Sequence, residues 1–170
     1  FKDLYLVASK KSAGKKIKFR EKEIEIENLE NYDFSKAQIT IFAAGSDIAK
    51  EWAPKAAKKT IVIDNSSFFR MQKNVPLVVP EVNPEALDKH ENIIANPNCS
   101  TMQMVLVLKP LHNEYKIKRV IVSTYQAVSG AGKEAMDELF DQTKNFFKAS
   151  YQAVSSYLGN CVGIFLLLAN

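Results

Sequence analysis

The chain has 170 residues, 46% of them hydrophobic and 25% charged, with a formal net charge of +4. This composition supports one domain of ordinary size, or one domain and part of another, able to bury a core. It argues against a nucleic-acid partner, because the basic residues of 10–22, 50–59 and 116–119 lack an aromatic stripe and read as a solvated face, and against a membrane span, because the longest apolar stretch, 162–169, is too short.

Residues 4–7 are a continuous apolar run, the pattern of a strand covered on both faces. A small basic stretch follows, and 17–26 then alternates apolar and charged residues, as an exposed hairpin or edge does. After a turn at 33–36, residues 39–44 read as a second buried strand, ending in Ala43-Ala44-Gly45-Ser46. Ser46 or Asp47 can cap a helix through Ala57 with Ile48, Trp52 and Ala56 on one face, in which Pro54 predicts a kink or an early stop. Residues 60–64 read as a third buried strand, 76–79 as a short extended piece, and 85–89 as a helical turn started by Pro84. Ile93, Ile94 and Ala95 end another short buried strand. Asn98 then caps a helix carrying Met102, Val105, Leu106 and Leu108, with Pro110 near its end. The β-branched run 119–125 predicts a strand, Ser129-Gly130-Ala131-Gly132 a tight turn, and 133–147 an amphipathic helix with Met136, Leu139 and Phe140 on its apolar face.

Strand and helix alternate as far as about residue 113, which predicts a parallel α/β sheet with crossovers. In such sheets the polar residues at the carboxyl ends of strands line the ligand crevice. Four tips qualify: 9–12, 43–46, 65–67 and 96–99. Cys99 has two readings. It is a nucleophile at a strand-to-helix turn, where unpaired amides and the helix dipole favour a thiolate, or it is a small buried thiol. The polar company of the other tips favours the first. Two cysteines, Cys99 and Cys161, without a signal peptide point to a reducing, cytoplasmic setting rather than a disulfide scaffold, and no metal ligand set is assigned.

Four strings stand in series: Asn65-Ser66-Ser67-Phe68-Phe69-Arg70-Met71, Val78-Val79-Pro80-Glu81-Val82-Asn83, Asn96-Pro97-Asn98-Cys99-Ser100-Thr101, and the run from Ser123 through Thr-Tyr-Gln-Ala-Val-Ser-Gly-Ala-Gly to Lys133. In this order and spacing, from residue 4 to about 147, the chain closely resembles bacterial aspartate-semialdehyde dehydrogenase. The resemblance implies a Rossmann-type parallel sheet with helices on both faces over residues 1–115, and the start of a second, α+β catalytic and dimerisation domain over 116–170. It implies reduction of L-aspartyl 4-phosphate to aspartate 4-semialdehyde and phosphate with NADP(H), in the pathway to lysine and diaminopimelate, threonine and methionine, by a homodimer. On this likeness Cys99 is the nucleophile that forms a thioester, Gln126 contacts substrate, and Arg70 binds the phosphate, for which bidentate guanidinium donors are suited. Asn98 either offers an amide to a substrate oxygen, or caps the helix, or does both. Ser9, Lys11 and Ser12 align with the segment that meets the adenosine 2′-phosphate, Ala44 and Gly45 belong to the cofactor crevice, and Ser129 and Gly130 resemble the nicotinamide-side turn.

Several departures accompany the likeness. The glycine-rich phosphate loop, expected ahead of Phe1, is not in this sequence, and neither is the family's histidine acid/base with its carboxylate-binding arginine. His90 and His112 match no family motif and read as surface or helix-end residues. Residues 150–170, including Cys161, do not resemble the family's continuation. These features lead to the expectation of a fragment that turns over poorly or not at all by itself. The rival readings are a non-catalytic, phosphate- or nucleotide-binding remnant of the enzyme and a related acyl-phosphate reductase.

Overall fold

The computed structural model describes residues 3–148, in a first unit ending at Glu114 and a second beginning at Tyr115. The first unit contains two three-stranded sheets. In one, β1 (Leu6–Ala8) lies parallel to β3 (Lys22–Asn28), with Leu6 opposite Ile26. β2 (Lys16–Phe19) pairs antiparallel with β3, with Ile17 opposite Ile24. The apolar–charged alternation of 17–26 is therefore a hairpin, and its turn holds Arg20 at a φ of 56°. β1 begins at Leu6 rather than at residue 4, since its ladder to β3 starts at the Leu6–Ile26 pair.

The second sheet, in the order β4-β5-β6, is all parallel. β4 (Ile39–Phe42), β5 (Ile61–Asp64) and β6 (Ile93–Ala95) put Ile41 opposite Ile63 and Ile63 opposite Ile94, so their carboxyl ends share one rim. The crossover from β4 to β5 is α1 (Ser46–Ala56), whose buried Ala49, Ala53 and Ala56 have little side chain to hold the backbone away from its neighbours. α1 runs through Pro54 and ends two residues later, where the proline has already removed one helical donor. Leu77 bridges to Ala95, which makes 76–79 a minor addition beside β6 rather than a full strand.

Val62, Ala53, Ala56 and Ala95 are fully buried at the centre of this unit. Tyr32 meets Phe34 edge-on at 5.2 Å and Phe34 stacks on Phe42 at 6.4 Å, while Val7 and Leu29 from the β1–β3 side pack on the same cluster as Val62. The aromatic cluster thereby gives the two sheets a common core. Burial, then the charge of Glu27, then Tyr5 and Asp33 hold the Tyr32 phenol above the ordinary tyrosine range. β4 departs from the buried strand read in the sequence. Ile39 and Ile41 are 56% and 65% exposed, because side chains alternate along a strand and only the Thr40–Phe42 face meets the core.

α2 (Cys99–Tyr115) follows β6 and continues five residues past Pro110. In the second unit, residues 119–125 form no strand, contrary to the β-branched pattern. Among the described residues nothing pairs with them, and without a neighbouring strand the backbone has no ladder to join. A 3₁₀ turn at Val128–Ala131 leads through Gly132, at a φ of 99°, into α3 (Lys133–Lys148). Met136, Leu139 and Phe140 are exposed on α3, which carries a Lys133–Asp137 ion pair along its flank. Residues 149–170, with Cys161 and the apolar stretch 162–169, lie outside the described part. Among the described residues no helix is long and apolar enough to cross a membrane, and no group of three or more His, Cys, Asp or Glu is placed to hold a metal ion.

Candidate active site

The rim of the β4-β5-β6 sheet is built by side chains that bond across from one strand tip to the next. Asp64, the last residue of β5, is fully buried, and its two carboxylate oxygens accept from the Ser66 amide at 3.1 Å and the Ser66 hydroxyl at 2.6 Å. The Ser66 oxygen in turn accepts from the Phe68 amide at 3.2 Å, which curls residues 65–68 and delivers Arg70 back over the sheet. Arg70 donates from Nε to the Asn96 carbonyl at 3.0 Å and from Nη2 to the Asn65 carbonyl at 3.1 Å. The Asn96 amide nitrogen also donates to Asn65 Oδ1, and its backbone N–H donates to the Asp64 carbonyl at 2.8 Å. On the other side, the hydroxyls of Ser46 and Ser67 are 2.9 Å apart, joining the start of α1 to the β5 tip. Three of the four polar tips are thus tied together within the first unit.

Cys99 is exposed and is the first residue of α2, which rules out the buried-thiol reading. Asn98 caps that helix: its Oδ1 accepts from the Ser100 amide at 3.0 Å and its carbonyl accepts from the Met102 amide at 3.0 Å. Because the cap uses the oxygen of the side-chain amide, its NH₂ group stays available to donate, so capping and substrate contact are compatible. Pro97 is buried and supplies the turn between β6 and the helix.

The fourth tip, after β1, is a separate turn in which the Ser9 carbonyl accepts from the Ser12 and Ala13 amides at 2.8 and 3.1 Å. Ser9 and Lys11 are exposed there and Ser12 is half-buried, in a stretch from Ser9 to Lys16 with four lysines and no acid. An anionic group fits that turn. Ala44 and Gly45 are exposed between β4 and α1, and Gly45 has a φ of 91° with open space where a side chain would be. Its glycine is required by backbone conformation rather than by crowding. The α1 amides it precedes have no side-chain cap, which suits the negative phosphates of a dinucleotide.

Gln126, Ser129 and Gly130 belong to the second unit and are all exposed. A Cβ added to Gly130 would lie 2.9 Å from Gln126 Nε2 and 3.3 Å from its Cγ. The space left by the missing side chain is filled here by the glutamine. Of the histidines, His90 accepts the Asn92 amide on Nδ1 at 3.0 Å and His112 is exposed in the last turn of α2.

The motif reading names Arg70, Asn98 and Cys99 and places Asn65 and Asn96 among the polar tips, but it misses the bonds that join those two asparagines to each other and to Arg70, and it misses Asp64 beneath them. An available signal was the asparagine directly after each of two buried strands, a pair that parallel neighbours bring to one height.

A parallel sheet with linked polar tips and an uncapped, glycine-led crossover helix beside them is the architecture of a dinucleotide-binding α/β domain. Family models match in two stretches: the semialdehyde dehydrogenase NAD binding domain over residues 1–90 and the semialdehyde dehydrogenase dimerisation domain over 108–162. Among curated proteins, the chain is 46% identical over 167 residues to aspartate-semialdehyde dehydrogenase 2 of Vibrio cholerae, covering 94% of this chain and 50% of that protein. Among solved structures, aspartate semialdehyde dehydrogenase II from Vibrio cholerae superposes with a TM-score of 0.79 at 48% identity, over 86% of this chain and 45% of that one. Aspartate semialdehyde dehydrogenase with NADP from Candida albicans gives a TM-score of 0.60 at 28% identity, over 76% and 45%. The chain belongs to the semialdehyde dehydrogenase family, and spans about half the length of the curated relatives it matches. The likeness also reaches residue 162, beyond residue 147 where the recognisable motifs stop, so part of the tail read as atypical matches the family.

Proposed function

We propose that this chain supplies the nucleophile, the phosphate-binding arginine and most of the cofactor crevice of an NADP-dependent aspartate-semialdehyde dehydrogenase. The observation that carries this reading is the exposed thiol at the first position of α2, directly after a strand tip braced by Arg70. The Cys99 thiolate attacks the acyl carbon of L-aspartyl 4-phosphate. A carbon–sulfur bond forms, the carbon–oxygen bond to the phosphoryl group breaks, and inorganic phosphate leaves with the bonding pair. Arg70 receives the departing charge on its remaining donors, and the Asn98 NH₂ group donates to the acyl oxygen as negative charge builds there. Gln126 orients the aspartyl group. A nicotinamide held in this crevice would supply the hydride that reduces the thioester carbon, freeing Cys99 as the thiolate with which the cycle began.

For the cofactor, Lys11 with Ser9 and Ser12 forms a basic, hydroxyl-bearing turn that suits the 2′-phosphate of NADP. Lysine makes a point contact there where an arginine would make a fork. Ala44 and Gly45 line the crevice beside the α1 amides, and Ser129 and Gly130 belong to the nicotinamide side. The protein acts as a homodimer in the cytoplasm, in the route from aspartate to lysine and diaminopimelate, threonine and methionine.

The test is phosphate-dependent reduction of NADP with aspartate semialdehyde by the complete protein. Cys99→Ala is expected to lower kcat by about 10⁴–10⁶-fold, the range seen when a nucleophile or its activating partner is removed. Activity retained within tenfold would remove Cys99 from the mechanism.

A further inference from the structure

Arg70 faces two tasks, and the geometry separates them by edge. Its Nε and Nη2 atoms span the carbonyls of Asn96 and Asn65 at 3.0 and 3.1 Å, across the junction between β6 and β5. This is the side-on edge of the guanidinium, one of the two that can grip a phosphate with parallel N–H bonds. The donors left over are the two hydrogens of Nη1 and the second hydrogen of Nη2; one hydrogen of Nη1 and that of Nη2 form the end-on edge. Asn96 stands three residues before Cys99, and the one flexible residue between them, Asn98, is committed to the helix cap, because Pro97 has its φ fixed. The position of the Asn96 carbonyl therefore sets the point from which the turn and the first residue of α2 start.

We propose that Arg70 is a positioning residue for Cys99 as well as a ligand for phosphate: its side-on edge holds the two strand tips together and so presents the thiol, and it accepts the phosphoryl group end-on. The inference rests on the reading of Cys99 as nucleophile. Lysine carries the same charge, but its donors radiate from one nitrogen and lack the planar fork in which Nε and Nη2 each meet a separate carbonyl, so it does not reproduce this clamp. The Asn65–Asn96 side-chain bond joins the same two residues and is a second brace at this junction.

The experiment is Arg70→Lys in the complete protein, with hydrogen exchange followed by peptide and iodoacetamide labelling of Cys99 resolved from Cys161 by mass spectrometry. Loss of a doubly bonded charged group is expected to speed amide exchange over residues 93–102 by about tenfold or more and to change the Cys99 labelling rate several-fold, with exchange in β4 and α1 unaltered. Wild-type exchange and labelling in a folded Arg70→Lys protein overturns the proposal, and so does a uniform increase across the whole first unit, which would mark a general loss of stability. Should the variant fail to fold, nuclear magnetic resonance of the unsubstituted protein decides: a slowly exchanging Arg70 Nε–H supports the clamp, and one as fast as that of exposed Arg119 refutes it. Exchange and labelling report geometry whether or not Cys99 is the nucleophile, whereas retained activity in Cys99→Ala strikes only that assignment.

Discussion

The two units hold their candidate site residues by different means. In the first, Arg70, Asn96 and Cys99 are fixed through bonds between residues far apart in sequence, standing on a core of Phe34, Phe42, Val62 and the α1 alanines. In the second, Gln126 and Gly130 are fixed by one short turn, and the apolar residues of α3 are exposed. A parallel sheet with a crossover helix can bury its own strand tips and their polar partners. An extended segment such as 119–125 has no such resource until another strand lies beside it.

The contrast is open to direct test. The largest effect is expected from Phe42→Ala, which empties the stacked aromatic core and should lower stability by about 3–5 kcal/mol in chemical denaturation. Phe140→Ala, on the 69% exposed position of α3, should stay within about 0.5 kcal/mol. A comparable loss at both positions would show that α3 is covered in solution and would end the contrast. Gly130→Ala sharpens it from the other side. The new methyl group would crowd Gln126, and its amide would have to move, with an expected loss of about tenfold in kcat/KM and little change in denaturation midpoint, since the cost of misplaced substrate contacts falls on the reaction. Unchanged kinetics would remove Gln126 from the site or show that its placement does not depend on Gly130. Asn98→Ala deletes the α2 cap and should lower stability by about 1 kcal/mol. If Asn98 also donates to substrate, Asn98→Asp should keep the stability, since a carboxylate caps equally well, yet lose rate because it has no N–H to give.

The legible parts of this molecule are the ones governed by nearest neighbours. The hairpin of β2 and β3 was readable from alternation alone. α1 was readable from its small and apolar face, although its cap is Gly45 without a side-chain bond and not Ser46 or Asp47, which lie inside the helix, and the Cys99 turn was readable from Asn98 and Pro97. The candidate site residues were legible wherever a short string carried them, as with Asn-Pro-Asn-Cys and the Asn-Ser-Ser…Arg segment. The errors share one origin. Residues 39–44 and 119–125 have the composition of buried or paired strands, but burial and pairing depend on what lies alongside, and a local pattern holds no record of that. At Gly130, which resembles part of the nicotinamide-side turn, the space beside the backbone holds the side chain of Gln126, four residues earlier, a contact that the local string does not reveal.

By itself the amino-acid sequence determined the family, the alternation of strand and helix from β4 to α2, the nucleophile candidate and the helix cap that presents it, because each depends on residue identities within a few positions of one another. Only the tertiary structure decided that Asp64 is fully buried beneath the site, that Asn65 and Asn96 meet across 31 residues, and that Arg70 spends one edge on their carbonyls. Those bonds exist because β5 and β6 are parallel neighbours ending at the same height. The Cys99 turn, six residues long in the sequence, is held from outside that string, by an arginine on the adjacent strand's loop.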